Sequence, residues 1–343
     1  MSLWDYSISY RLARVYVDAC VRSCFSRIKV SGRNNIPRDS SVLFAVNHTN
    51  TLMDALVVLQ DNKGPISFGA RADIFRNPRT AKILTWLKIV PIARQRDGGN
   101  PFTRNNESFS RIVECIGHNV PFTIYPEGTH RPKHSLQPLK KGVFRVALQA
   151  IRELGGKKVY VVPVGLDYED FFNPSTSLSI KYGEPICVND MLERYPEENE
   201  AMHNMTELLY KRISSLIRFV PDDIDYEENW MNYIKEHPTR RMSLPLRWIL
   251  SILLIPGFVL SAVLSAIIVI PSEIIINKLK DKAWSNTVRF GVKFVLLPFL
   301  TILVAILAFL LLPCPWAIAI TLFATISQPV FYWILNLYKS VLK

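Results

Sequence analysis

The sequence predicts an α/β domain, a mixed sheet covered by helices, followed by an all-α membrane module. Three observations predict it. Between residues 27 and 220, short β-rich runs alternate with helical runs, mostly in β-α-β order, which favours a sheet with helices packed on it. From residue 248 onward the pattern gives way to long charge-free stretches. The charge divides at the same place: of a net +12, residues 240–343 carry ten Lys/Arg against two Asp/Glu. Basicity that travels with an apolar tail points to an anionic membrane surface and away from nucleic acid. With 343 residues, 49% of them hydrophobic, the chain has room for one large core plus a membrane-embedded module.

Residues 1–26 form an arm in which Trp4, Tyr6, Tyr10, Leu12, Val15 and Tyr16 are interleaved with Arg11, Arg14 and Arg22. Two readings fit it: a basic amphipathic helix at the headgroups, or a helix packed on the domain's own core. Arg11 and Arg14 interrupt any signal-peptide core. The main domain runs over 27–225. Its expected strands are 27–30, 42–46, 66–70, 90–93, 122–125, 159–165 and 178–182; its expected helices are 54–59, 78–88, 106–118, 139–154 and 200–219. Pro163 puts its strand at an edge or a break. The segment 96–108, rich in Gly and Asn, reads as a loop, either over the site or a plain connector. A linker helix follows within 226–247.

The anchor occupies 248–343. Its charge-free stretches are 248–270, 294–312 and 315–338. The middle one spans about 28 Å as a helix, close to one hydrocarbon thickness. Two helical hairpins, turning at Pro256-Gly257 and at 313–315, would leave every Lys and Arg on one face; a single tilted crossing at 248–270 is the alternative. The charge rule then sets the main domain on the cytoplasmic face. Five cysteines without a CxxC pair fit a reducing compartment, and Cys20 and Cys24, one helical turn apart, read as small buried side chains.

The stretch "FAVNHTNTLMDAL", residues 44–56, places His48 at the carboxyl end of a strand, where ligands bind in open α/β sheets. Asp54 opens the next helix. An acid in a first helical turn suits the helix dipole on its own. The functional alternative is a dyad: Asp54 accepts from Nδ1–H of His48, and Nε2 is left to take a proton from a hydroxyl, which is a weak nucleophile without such help. His130 and His134 have a metal-ligand spacing, but Pro132 lies between them and no third ligand is visible, so they read as solvated loop histidines.

Four blocks in order, "NHTNTLMD", "VPIARQRD", "IYPEGTHRPKHS" and "VVPVG", resemble the motifs of the membrane glycerolipid acyltransferases, the glycerol-3-phosphate and lysophosphatidic acid acyltransferase family. The resemblance covers roughly residues 27–220 and implies a glycerolphosphate acyltransferase-like fold. It implies that His48 is the catalytic base and Asp54 its orienting acid. It also implies that Arg94 contacts the acceptor's phosphate, that Glu127, Gly128 and Thr129 bind the acceptor, and that Pro163 belongs to a block linked to the acyl donor or to structure. Arg131, Lys140 and Lys141 are further phosphate candidates. The chain departs from the pattern in three places. Five residues instead of four separate His48 from Asp54, Lys88 stands where the second block begins with glycine, and His130 stands where the third block ends in arginine. The implied partners are membrane lipids and an acyl thioester, acyl-CoA or acyl-acyl carrier protein, as co-substrate, with no metal and no cofactor. Alternatives are acylation of another lysophospholipid or an aminolipid, an esterase, or a non-catalytic membrane-binding protein. No G-x-S-x-G elbow supports an esterase. A non-catalytic protein gives His48, Asp54, Arg94 and Glu127 no reason to occur together.

Overall fold

The computed structural model describes residues 2–93, 101–237 and 242–342, the side chains of 101–105 apart. Eight strands form one sheet: β1 (Arg27–Ser31), β2 (Ser41–Val46), β3 (Ser67–Arg71), β4 (Ile89–Ile92), β5 (Phe122–Ile124), β6 (Val159–Tyr168), β7 (Ser177–Tyr182) and β8 (Ile186–Cys187). Their order is β1-β7-β6-β2-β5-β3-β4, with β8 beside β6. The pairings from β6 through β2, β5 and β3 to β4 are all parallel; β7 runs antiparallel to β6, and β1 parallel to β7. The sheet is therefore mixed. Helices α1 (Ile8–Arg22), α2 (Leu52–Asp61), α3 (Pro78–Trp86), α4 (Pro101–Gly117), α5 (Gly142–Leu154), α6 (Val188–Arg194) and α7 (Glu198–Leu216) surround it, and α8 (Tyr226–Glu236) packs against the loop that carries His134.

β2 is central and buried along its whole length, which is why it reads as an unbroken apolar run. Its side chains alternate between two cores. Leu43 and Ala45 pack with residues of α4, α5 and α7; Val42, Phe44 and Val46 pack with α1 and α2. The carboxyl end of β2 thus emerges between two helical layers, and His48 follows it directly.

Pro163 lies at a break and not at an edge. β6 has β2 on one side; on the other, β7 ends opposite Val164 and β8 begins opposite Val161, so the gap between them faces the proline that has no N–H to give. β8 and α6, both very short, carried no periodic signal. α4 begins at Pro101, so 101–108 is helical where a loop was expected; proline suits a first helical position. Residues 94–100 lie outside the described set.

The arm packs on the domain's own core. α1 buries Tyr10, Cys20 and Val21, while Ile8, Leu12 and Val15 remain exposed on another face. The residues before it reach across to Lys88, whose backbone is left-handed (φ +64°), a conformation that suits glycine. There the Lys88 ammonium donates to Ser2 O (2.9 Å) and Asp5 O (2.5 Å) and lies 5.2 Å from the Tyr6 ring centroid. The departure from glycine is accommodated by a contact that ties the arm down.

The membrane module comprises α9 (Leu244–Leu253), α10 (Ile255–Lys278), α11 (Ser285–Leu311) and α12 (Cys314–Leu342). Three of its helices are long and apolar enough to cross a membrane. The turn expected at 313–315 is present between α11 and α12. The hairpin expected at Pro256-Gly257 is not. Leu254 alone separates α9 from α10, with near-helical dihedrals (φ −89°, ψ 1°), and hydrogen bonds continue on both sides of it. Pro256 sits in the first turn of α10, where its missing N–H costs nothing. The basic residues nevertheless gather at one end of the module. Arg247 donates to Ser340 O near the end of α12. Arg289 donates to Phe172 O of the main domain at 2.6 Å. Lys293 donates to Cys20 O at 3.2 Å.

Candidate active site

His48 hangs on three backbone ties. Asn47 extends the β2–β6 ladder with its side chain, donating to Leu166 O at 3.0 Å and accepting from Leu166 N at 2.7 Å. The His48 N–H donates to Glu127 Oε1 at 2.7 Å, and the His48 carbonyl accepts from Arg131 N at 3.0 Å. The chain then makes its sharpest excursion at Thr51, a β-branched residue at φ +50°, and enters α2. Thr51 is one of the five residues between His48 and Asp54.

The two side chains meet. His48 Nδ1 lies 2.8 Å from Asp54 Oδ2. The same oxygen accepts from Thr49 N and Asn50 N, each at 2.8 Å, and Oδ1 accepts from the Tyr168 hydroxyl at 2.8 Å. Asp54 is fully buried, whereas the His48 ring is 19% exposed. Burial, and after it the Asp54 charge, pushes the Tyr168 hydroxyl far above its ordinary value, so it stays a donor. A buried carboxylate held by four donors is fixed in place, and it fixes the ring. Nε2 of His48 has no partner among the described residues. The Tyr125 ring lies beside the imidazole, 4.5 Å between centroids, and the His130 ring stands edge-on to it at 5.7 Å.

A supported imidazole thus stands at a strand's carboxyl end, and residues 27–167 match the family model described as Acyltransferase. This stretch is an acyltransferase-family domain. Over 127 residues the chain is 32% identical to glycerol-3-phosphate O-acyltransferase 2 of Saccharomyces cerevisiae, covering 36% of this chain and 16% of that protein. Over 151 residues it is 26% identical to 1-acyl-sn-glycerol-3-phosphate acyltransferase alpha of Mus musculus, covering 43% of this chain and 48% of that protein. The chain thus spans well under two thirds of either relative. The crystal structure of the 1-acyl-sn-glycerophosphate (LPA) acyltransferase of Thermotoga maritima overlays with a TM-score of 0.43 at 19% identity, covering 60% of this chain and 78% of that one.

Within the acyltransferase domain the other expected site residues divide. Gly128 is left-handed (φ +73°), and a Cβ there would lie 2.7 Å from Lys140 Nζ, so the glycine makes room for that ammonium. Lys140 forms no ion pair among the described residues, and its backbone N–H ties to Pro126 O at 2.8 Å. Lys141 is the N-cap residue of α5. Glu127 is engaged by the backbone around it. It is 3% exposed, and its second oxygen accepts from Gln137 N at 2.9 Å, so both oxygens hold backbone amides. Burial pushes its carboxyl up, against the pull of those amides. Thr129 is locked by Gln137 through its hydroxyl (3.0 Å) and its carbonyl (2.8 Å). Arg131 pairs with Asp222, which also takes Lys133 at 2.7 Å. Arg94 lies outside the described residues.

His134 is not solvated. It is 5% exposed, stacked on Trp230 at 4.0 Å between centroids, and 3.5 Å from Asp167. Helix α8 closes over it, which no local pattern in the sequence announced. Among the described residues no group of three His, Cys, Asp or Glu could hold a metal ion. Sequence reasoning also missed Tyr168, Asn47 and Gln137. Asn47 carried a signal: a polar residue ending an apolar strand must satisfy its amide somewhere.

Proposed function

We propose that the protein is an O-acyltransferase of phospholipid synthesis, moving a fatty acyl group from an acyl thioester to a hydroxyl of glycerol 3-phosphate or lysophosphatidic acid. The observation that carries this is the 2.8 Å bond from His48 Nδ1 to a fully buried, four-donor Asp54. With Nδ1–H held by the carboxylate, the lone pair is on Nε2. His48 Nε2 takes the acceptor's hydroxyl proton as that oxygen attacks the thioester carbonyl. The tetrahedral intermediate collapses, the C–S bond breaks, and the proton on His48 passes to the departing thiolate. No acyl-enzyme and no metal are needed. Lys140, beside Gly128 and without an ion-pair partner among the described residues, is the favoured ligand for the acceptor's phosphate, and Arg94 is the second. Glu127 and Thr129 shape the loop, and Arg131 is held by Asp222.

The donor is acyl-CoA or acyl-acyl carrier protein, and the membrane is both anchor and source of lipid. The positive-inside rule puts the end that carries Arg247, Arg289 and Lys293, and with it the domain, on the cytoplasmic face. The test is an acceptor panel. Full-length protein in nanodiscs is given labelled acyl-CoA or acyl-acyl carrier protein with glycerol 3-phosphate, lysophosphatidic acid or another lysophospholipid. Transfer to a glycerol-phosphate acceptor that falls by about 10²–10⁴-fold in His48→Ala is expected. Undiminished turnover in that variant overturns the base assignment.

A further inference from the structure

Three side-chain contacts carry the membrane module into the active site. Asp281, in the turn between α10 and α11, lies with Oδ2 2.7 Å from His130 Nε2. Its other oxygen accepts from Ala283 N at 2.9 Å, which anchors the carboxylate in its own turn. Trp284, in the same turn, stands edge-on to the His130 ring, 6.1 Å between centroids. At the start of α11, the Thr287 hydroxyl lies 2.8 Å from the Thr51 hydroxyl. Thr51 is the strained residue between His48 and Asp54. The module therefore braces the dyad loop on one side and His130 on the other.

His130 itself stands 5.7 Å from the His48 ring, edge-on. A glycerol unit with both its terminal oxygens spans about 5 Å, its consecutive atoms about 1.5 Å apart, which is comparable. A hydroxyl on His48 Nε2 therefore brings the rest of the acceptor past His130. The His130 side chain is 27% exposed and would sample several rotamers if nothing held it. Its Nδ1 has no partner among the described residues. Arg131, the neighbour that could have served instead, is engaged with Asp222.

We propose that Asp281 is a positioning residue for the acceptor: it holds His130 beside His48, so the site is assembled from the acyltransferase domain and the membrane module together. This rests on the acyl-transfer reading, and its test separates the two. Full-length Asp281→Asn, His130→Ala and the double variant are compared in nanodiscs, with KM measured for acceptor and for acyl thioester. Asp281→Asn is expected to raise the acceptor KM about threefold to tenfold, leaving kcat and the thioester KM within about twofold. The double variant is expected to be no worse than His130→Ala alone, because Asp281 acts only through His130. Asp281→Glu, which keeps the carboxylate, is expected to retain most of the acceptor affinity. An unchanged acceptor KM, an effect confined to the thioester, or additive losses in the double variant each overturn the proposal. Carbethoxylation of His130, followed by mass spectrometry, gives a readout without turnover. Faster modification in Asp281→Asn than in wild type supports the pairing, and equal rates overturn it. A wild-type protein that transfers no acyl group would sink the enzyme reading while leaving that second result to judge the pairing.

Discussion

Two histidine–aspartate pairs stand side by side in this molecule, and they differ in everything but length. His48–Asp54 measures 2.8 Å and His130–Asp281 measures 2.7 Å. Asp54 is fully buried and takes four donors; the Asp281 side chain is half exposed and takes two among the described residues. Charges at one separation interact far more strongly in a buried, low-dielectric site than at a wet surface. An exposed pair contributes only about 0–1 kcal/mol. The inner pair is thus a preorganised unit, suited to stabilising the charge that appears on an imidazole during proton transfer. The outer pair can set a position and little more. At nearly equal distance, the donor shell is what separates the two pairs.

The comparison breaks first at Asp54. In Asp54→Asn a single oxygen remains for Thr49 N, Asn50 N and the His48 ring, and an NH2 group opposes one set of donors. A turnover loss of about 10²–10⁴-fold is expected with the fold retained, measured as kcat alongside thermal unfolding. A loss no greater than that of Asp281→Asn would erase the distinction drawn above. Glu127→Gln is next. One amide oxygen cannot accept from both His48 N and Gln137 N, so a stability loss of about 1–3 kcal/mol and a drop in kcat of about tenfold are expected. A stable, fully active Glu127→Gln protein would show that the His48 backbone needs no such tie. Tyr168→Phe sharpens the comparison further, removing one of the four donors and leaving the ring. It is expected to lower kcat about threefold to tenfold, and it would show whether the shell or the carboxylate alone holds the dyad.

Where local pattern decides structure, the sequence was readable. β2 is apolar because it is buried on both faces, so its limits and the position of His48 at its end followed from composition. The alternating runs gave the other strands up to β7, and the turn at 313–315 was marked by its prolines. Long-range placement was not readable. Tyr168 reaches Asp54 across 114 positions, and Asp281 reaches His130 across 151. Nothing in the spacing of either residue records such a meeting. The backbone partners of Glu127 were hidden for the same reason: a carboxylate beside a glycine in a loop carries no local mark of the amides it will hold. Pro256 misled in the opposite direction, because proline in a first helical turn and proline in a hairpin leave the same mark on a sequence.

A third pair, His134–Asp167, tests whether burial without a full donor shell makes anything beyond structure. Both side chains are buried, but they are 3.5 Å apart, and Arg218 takes the carboxylate at 2.9 Å. Burial holds the His134 ring below its ordinary value, against the pull of Asp167 and Asp170 and with the help of Arg218. Burial alone would raise Asp167, but its hydrogen bond to His134 and the Arg218 charge outweigh that and hold it below the usual carboxylate range. Both shifts have one sign for stability: as pH falls, the unfolded chain takes up each proton before the folded chain does, so stability drops. The His134 contribution begins to be lost below about pH 6.5, and the Asp167 contribution only below about pH 3.9. His134→Phe keeps a ring on Trp230 and removes the upper titration. Its unfolding temperature between pH 7 and pH 5 is therefore expected to fall less than that of wild type, with acyl transfer at pH 7 within about twofold. Parallel curves for the two proteins would mean that His134 is not the group being protonated. A large loss of turnover would mean that this third pair belongs with the first.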